Sequence, residues 1–158
     1  MATRETASLT TAIGMIDVEA IDGVITRIGI DSAPTAPAAA PTPHVPALLE
    51  AIHQLDAYFA GRLTVFNLPL AAAATPRGAV LRQAIIDIGY GDTASYGEVA
   101  TLVGSSPRAL GQACARNPFP IVVPCHRILR AGRIGYYSAG NGVATKRWLL
   151  THEQGMRP

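Results

Sequence analysis

The sequence predicts an α+β protein of two domains: a small N-terminal α/β unit over residues 1–74 and a mostly helical C-terminal domain with a helix-turn-helix over residues 75–158. Three observations lead there. Runs rich in β-formers flank Asp22-Gly23, a hairpin signal because both turn residues tolerate positive φ. Apolar residues from Leu48 to Phe59 recur at helical spacing. Two helix starts, Ser95-Tyr96-Gly97-Glu98 and Ser106-Pro107, follow closely on one another and predict two short consecutive helices.

In the first domain, Leu9, Ile13, Ile16, Val18 and Ala20 predict a strand near residues 8–20, with a break allowed at Gly14. Val24, Ile25, Ile28 and Ile30 predict a second strand near residues 24–31. Residues 32–46 are dominated by Ala, Pro and Thr, which supply no core and predict an exposed loop. A helix over 47–60 follows, with Gly61 as its stop, and then a short strand through Leu63, Val65, Phe66, Leu68 and Leu70. His44 and His53 stand in no metal-ligand pattern and are expected at the surface or in packing.

The run from Ala71 to Pro76 reads as a linker, with Thr75 and Pro76 suited to begin a helix. Val80, Leu81, Ala84, Ile85 and Ile88 make the apolar face of that helix, and Gly89 and Gly91 end it. Ser95 and Glu98 then form a capping box for a helix near 96–103: the serine accepts from a free backbone N–H and the glutamate reaches back. Gly104 to Pro107 gives a tight turn, and a second helix runs over 107–116. That helix, from Arg108 to Arg116, carries small side chains with an arginine at each end. Such a shape suits close approach to a sugar-phosphate backbone, and equally suits tight packing against another helix.

With 49% apolar residues the chain can bury an ordinary core, and a soluble globular protein is expected. No basic segment leads into an apolar stretch at the N-terminus and no apolar run approaches 18 residues, so the cytoplasm is the expected compartment, nucleoid-associated, or nuclear in a eukaryote. Cys114 and Cys125 offer neither a disulfide framework nor a metal knuckle. Charge is uneven. Residues 1–75 hold three basic against seven acidic residues, and residues 76–158 hold ten against four. Arg108, Arg116, Arg127, Arg130, Arg133, Lys146 and Arg147 fall in the basic half and suggest a polyanion near Cys125; a solvated basic face is the alternative.

The stretch from Asn117 to Leu129 carries the chemistry. It reads as a proline-framed apolar strand ending in Cys125-His126, either a buried strand with a core cysteine or a site with a nucleophile. A thiolate is the nucleophile, so Cys125 needs a group that takes its proton. If residues 121–125 are extended, Cys125 and His126 point to opposite sides. A bridging water or a bend after Pro124 must then connect them, and Glu153 is an acidic orienter for the histidine.

Pro124-Cys125-His126-Arg127, preceded by Asn117-Pro118 and Ile121-Val122-Val123, resembles the signature of the O6-alkylguanine-DNA alkyltransferases. Ser95 to Ala100, Arg108 to Gly111, Gly135 to Ser138, and Lys146 to Leu150 with Glu153 occur in that family's order. Upstream, Gln54 to Gly61 and Phe66 to Leu70 are similar to its N-terminal domain. The resemblance implies a ribonuclease-H-like first domain and a winged-helix-like second one. It implies DNA repair by irreversible, single-turnover transfer of an alkyl group from O6-alkylguanine in double-stranded DNA to Cys125, with O4-alkylthymine as a further lesion. The protein would act as a monomer, without cofactor, metal or membrane. By the same resemblance, His126 is the base acting through water, Glu153 orients it and Asn117 holds the active-site turn. Tyr96 donates to the base, and Tyr137 and Ser138 line its pocket. A carbonyl at Ile128 accepts from its amine, Arg108 fills the gap left by the flipped nucleotide, and Ala109, Gly111 and Arg127 contact substrate or DNA.

The sequence departs from the family's pattern in places. The turn before Arg108 is two residues shorter, Arg77 and Arg82 stand where Phe and Trp are usual, and Gly89 stands where Pro is usual. Ala139 replaces a glycine, about two residues are added before Lys146, and Cys114 falls where the pocket floor is expected. Relatives that bind zinc do so through N-terminal ligands this chain lacks. The alternative function is a non-catalytic protein that flips and marks alkylated bases; the acceptor Cys125 argues against it.

Overall fold

Gly14 and Gly23 decide how the first strands are joined. The computed structural model describes residues 2–33 and 45–155. Three strands, β1 (Arg4–Thr11), β2 (Gly14–Ile21) and β3 (Val24–Asp31), form an antiparallel meander in the order β1-β2-β3. The single strand expected over residues 8–20 is therefore two, broken at Gly14. Gly14 has φ 114°, and a Cβ there would fall 2.2 Å from the Asp31 carbonyl oxygen, so only glycine fits. Asp22 (φ 51°) and Gly23 (φ 81°) make the second turn in the left-handed region, as Asp-Gly predicts. Ile16, Val18 and Ala20 alternate toward the core. On β3 the alternation slips: Glu19 faces Arg27 and Ala20 faces Ile25, so Thr26 is an extra residue. That bulge puts Ile25 and Ile28 on the same buried face.

Helix α1 (Pro46–Phe59) covers this face with Leu48, Ala51, Leu55 and Tyr58, all fully buried. His53 on its outer side is exposed. The strand expected over 63–70 does not form. Pro69 offers no N–H to a ladder, and only Leu70 makes a single bridge to Ile25. The segment is held instead by Gln54, whose buried amide both donates to and accepts from the Asn67 backbone. Most of the expected 32–46 loop, with His44, lies outside the described residues.

The chain divides into two compact units, Met1–Ala71 and Ala72–Pro158. In the second, α2 (Pro76–Ile86) begins with Thr75 accepting from the Gly78 N–H. Helix α3 (Tyr96–Leu102) has the expected capping box between Ser95 and Glu98, and α4 (Pro107–Ala115) is capped by Ser106. A two-residue parallel pair, β4 (Ala94–Ser95) with β5 (Ile128–Leu129), ties the start of α3 to the reactive stretch. Helix α5 (Val143–Glu153), an element not among those expected from the sequence, packs on the turn at Cys125 and buries Thr145, Lys146, Leu149 and Glu153 on one face.

Residues 121–125 are not a strand. Pro118, Pro120 and Pro124 remove three N–H donors within seven residues, so a ladder cannot form. The chain coils instead: Val123 N–H donates to the Phe119 carbonyl at 2.8 Å, and Ile121 takes φ 75°. No helix among the described residues is long and apolar enough to cross a membrane.

Candidate active site

Asn117 builds the turn that presents Cys125. Its Oδ1 accepts from the Phe119 N–H at 2.9 Å. Its Nδ2 donates to the Val123 carbonyl at 2.9 Å and to Cys125 Sγ at 3.3 Å. Beyond Pro124 the backbone enters a 3-10 turn over Cys125–Arg127. The bend after Pro124 is thus present, and Cys125 and His126 follow one another around a helical turn.

His126 is fully buried, with Nε2 2.6 Å from Glu153 Oε2. Arg127 donates through Nε to Glu153 Oε1 at 2.8 Å, through Nη2 to Oε2 at 3.2 Å, and through Nη1 to the Ile88 carbonyl at 2.6 Å. The arginine is 5% exposed and lies against the Tyr90 ring. The expectation that Arg127 contacts DNA is therefore corrected: its guanidinium is spent inside the unit, neutralising Glu153. With the carboxylate answered by arginine, burial dominates His126 and lowers its pKa below 6.5, so the imidazole is neutral. His126 Nδ1 is buried and has no protein partner.

Cys125 and Cys114 are both buried and line one cavity. Cys114 and burial push the Cys125 thiol up, while the Asn117 amide and the Lys146 charge pull it down. Cys125 lowers Cys114, against its own burial. These opposite directions belong to one pair, in which ionisation of either sulfur opposes ionisation of the other.

Cys125 and Cys114 line a cavity of about 20 Å³ with Tyr96, Gly111, Tyr137 and Ser138, room for roughly one water. A wider cleft of about 370 Å³ shares Tyr96, Gly111 and Tyr136 with it and adds Pro107, Arg108 and Arg130. Burial pushes the Tyr96 phenol up to about 12 and raises Tyr137 further, so both are proton donors at neutral pH. The Tyr137 hydroxyl is buried without a protein partner.

The structure thus brings together Cys125, His126, Glu153, Asn117, Tyr96, Gly111, Tyr137 and Ser138, and sets Arg108 in the first turn of α4 beside the outer cleft. Ala109 lies on the same helix but lines neither space. The Ile128 carbonyl accepts from Lys146 Nζ at 2.6 Å, leaving one lone pair for another donor. Lys146 is 0% exposed, so it leaves the expected basic surface along with Arg127. Arg77 donates to the Val103 carbonyl at the end of α3, and Arg82 lies over the Phe119 ring, 5.2 Å from its centroid. Sequence reasoning placed Lys146 with the surface cations; the spacing of Lys146, Leu149 and Glu153 at three and seven residues was the available signal that it shares their buried face. Among the described residues no group of three His, Cys, Asp or Glu could hold a metal ion.

The DNA binding domain of the 6-O-methylguanine DNA methyltransferases matches residues 78–155, and their ribonuclease-like domain matches residues 7–72. The chain belongs to this family. A methylated-DNA–protein-cysteine methyltransferase of Mycobacterium leprae is 46% identical over 112 residues, 68% of this chain and 66% of the relative. The constitutive one of Bacillus subtilis is 43% identical over 113 residues, 69% of this chain and 67% of the relative. Among solved members of the methyltransferase family, Mycobacterium tuberculosis OGT in complex with DNA is similar at 34% identity and TM-score 0.81, covering 97% of this chain and 94% of that one.

Proposed function

We propose that this chain repairs O6-alkylguanine in double-stranded DNA by moving the alkyl group irreversibly to Cys125. The observation that carries the reading is the buried His126, bound to Glu153 through Nε2, with an unpartnered Nδ1, and adjacent in the chain to the cysteine that lines the pocket. Glu153 accepts the Nε2 proton of neutral His126, which leaves the Nδ1 lone pair as the base. Through one water, Nδ1 takes the proton of Cys125. The thiolate attacks the alkyl carbon, the carbon–oxygen bond breaks, and the electron pair leaves with the guanine. Tyr96, protonated at neutral pH, supplies a proton to the departing base. The products are an S-alkylcysteine and guanine. Among the described residues no group near Cys125 is placed to cleave a thioether, so each chain acts once.

Helices α3 and α4 with the turn at Gly104 serve as a helix-turn-helix, and α4 enters the minor groove. Arg108, exposed in the first turn, fills the gap left by the flipped nucleotide, at a flipping cost of a few kcal/mol. O4-alkylthymine is a second substrate, and one monomer acts on one lesion. Ser138 and Tyr137 contact the base, and the free lone pair at Ile128 accepts from its amine.

The test is intact-protein mass after mixing with duplex DNA containing O6-methylguanine. One methyl group is gained per chain, on Cys125, and none in Cys125→Ser. Binding without a mass change would replace this reading with that of a non-catalytic lesion-binding protein.

A further inference from the structure

Among its described residues the C-terminal unit buries two cations, Arg127 and Lys146, and only the first has a carboxylate partner. Arg127 is answered by Glu153. Lys146, fully buried on α5, donates from Nζ to the Ile128 carbonyl at 2.6 Å and to the Tyr136 carbonyl at 3.1 Å. No carboxylate lies within ion-pair distance of it among the described residues. Taking an ammonium out of water costs several kcal/mol, and two carbonyl dipoles offset only part of that. A buried charge of this kind needs an anion.

The two carbonyl partners of Lys146 set it at the pocket wall: Ile128 follows Cys125 by three residues, and Tyr136 lines the cavity that holds both thiols. The Lys146 charge favours the ionised form of both Cys114 and Cys125, and those thiols in turn hold the ammonium charged against its burial. Other titratable or charged groups around Cys125 do not fill this role. The phenols of Tyr96 and Tyr137 are neutral at working pH, and the Arg130 charge reaches Tyr96. Glu153, seven residues further along α5, is held by His126 and Arg127, and the Lys146 charge bears on His126 by disfavouring its protonation.

We propose that Lys146 is the electrostatic partner of the Cys125 thiolate, a positioning residue that favours the reactive ionisation state while its two carbonyl bonds hold the backbone at Ile128 and Tyr136 around the pocket. Proton transfer from Cys125 to His126 then leaves the thiolate facing the Lys146 charge, and the imidazolium on a Glu153 carboxylate that it shares with Arg127. The assignment rests on the proposed reaction only in taking Cys125 as the nucleophile.

The test reads the thiolate without DNA. In a Cys114→Ala background Cys125 is the sole thiol, and its carbamidomethylation by iodoacetamide is followed against pH. Lys146→Gln keeps an N–H donor without charge, Lys146→Met keeps neither, and Lys146→Arg keeps the charge. In Lys146→Gln and Lys146→Met the midpoint moves to higher pH, with reactivity at neutral pH down on the order of tenfold and recovered in alkali. Lys146→Arg retains the parent midpoint. Rates that fall equally at all pH values in the uncharged variants, with an unmoved midpoint, would show a purely structural lysine and overturn the proposal. Alkyl transfer from O6-methylguanine DNA is measured in parallel on the unsubstituted chain. A shifted midpoint with no transfer would uphold the thiolate partner and sink the repair reading.

Discussion

Replacing Arg127 with methionine separates a structural cation from a DNA-binding one. The guanidinium makes three hydrogen bonds inside the unit, two to Glu153 and one to the Ile88 carbonyl, and the Glu153 side chain it neutralises is 1% exposed. Methionine matches much of the stem but leaves the carboxylate buried beside a neutral imidazole. Breaking one side of such a pair costs about 3–5 kcal/mol, because the remaining charge is uncompensated. Part of that cost is recovered if His126 takes up a proton. The Arg127 charge is one of the influences that keep the imidazole deprotonated, so its loss makes His126 more basic. Arg127→Met therefore unfolds at lower urea concentration, and the acid limb of its alkyl-transfer profile moves to higher pH, since a protonated His126 cannot accept from Cys125. Binding to undamaged duplex keeps its salt dependence. A stability loss below about 1 kcal/mol, together with a salt slope reduced by about one, would place Arg127 on a phosphate and refute the argument.

Three further outcomes follow from the same geometry. The folded pKa of His126 lies below 6.5, so the unfolded chain binds the extra proton in the window beneath that value; stability is full above it and falls as pH drops through it, and a flat urea midpoint between pH 7 and 5 would contradict the buried neutral imidazole. Asn117→Ala removes the donor to Cys125 Sγ and strands the Phe119 N–H and the Val123 carbonyl, costing about 2 kcal/mol and slowing iodoacetamide at neutral pH; unchanged thiol reactivity would remove Asn117 from the site. A Cβ at Gly111 meets nothing within 4 Å, so Gly111→Ala stabilises α4 by about 0.5–1 kcal/mol while crowding both the inner cavity and the outer cleft; it is expected to be more stable and slower in repair, and a variant as fast as the parent would show that the base does not pass that wall.

What the sequence made legible was local chemistry. Asp22-Gly23 turns, Ser95 and Glu98 cap, and Ser106 with Pro107 starts a helix because each depends on neighbours within three residues. The runs through 63–70 and 121–125 misled because apolar composition suggests a strand, whereas Pro69 in one and Pro118, Pro120 and Pro124 around the other withdraw the donors a ladder needs. Charge was legible as composition but not as location. Arg127 and Lys146 count as basic residues wherever they lie, and only the fold shows one paired with Glu153 and the other buried on two carbonyls.

The site is organised along a single helix. Lys146 and Glu153 lie seven residues apart on α5, so both face the turn at Cys125. In the proposed reaction Lys146, at one end of this face, favours the thiolate, and Glu153, at the other, holds the imidazole that takes its proton. Gly135 permits the close seating this requires: it takes φ 76°, and a Cβ there would come within 3.3 Å of Arg130 and 3.5 Å of Lys146 Nζ. A side chain at that position would strain the loop that carries Tyr136 and Tyr137 and press on the ammonium at once, which couples the shape of the pocket to the charge proposed to favour its thiolate.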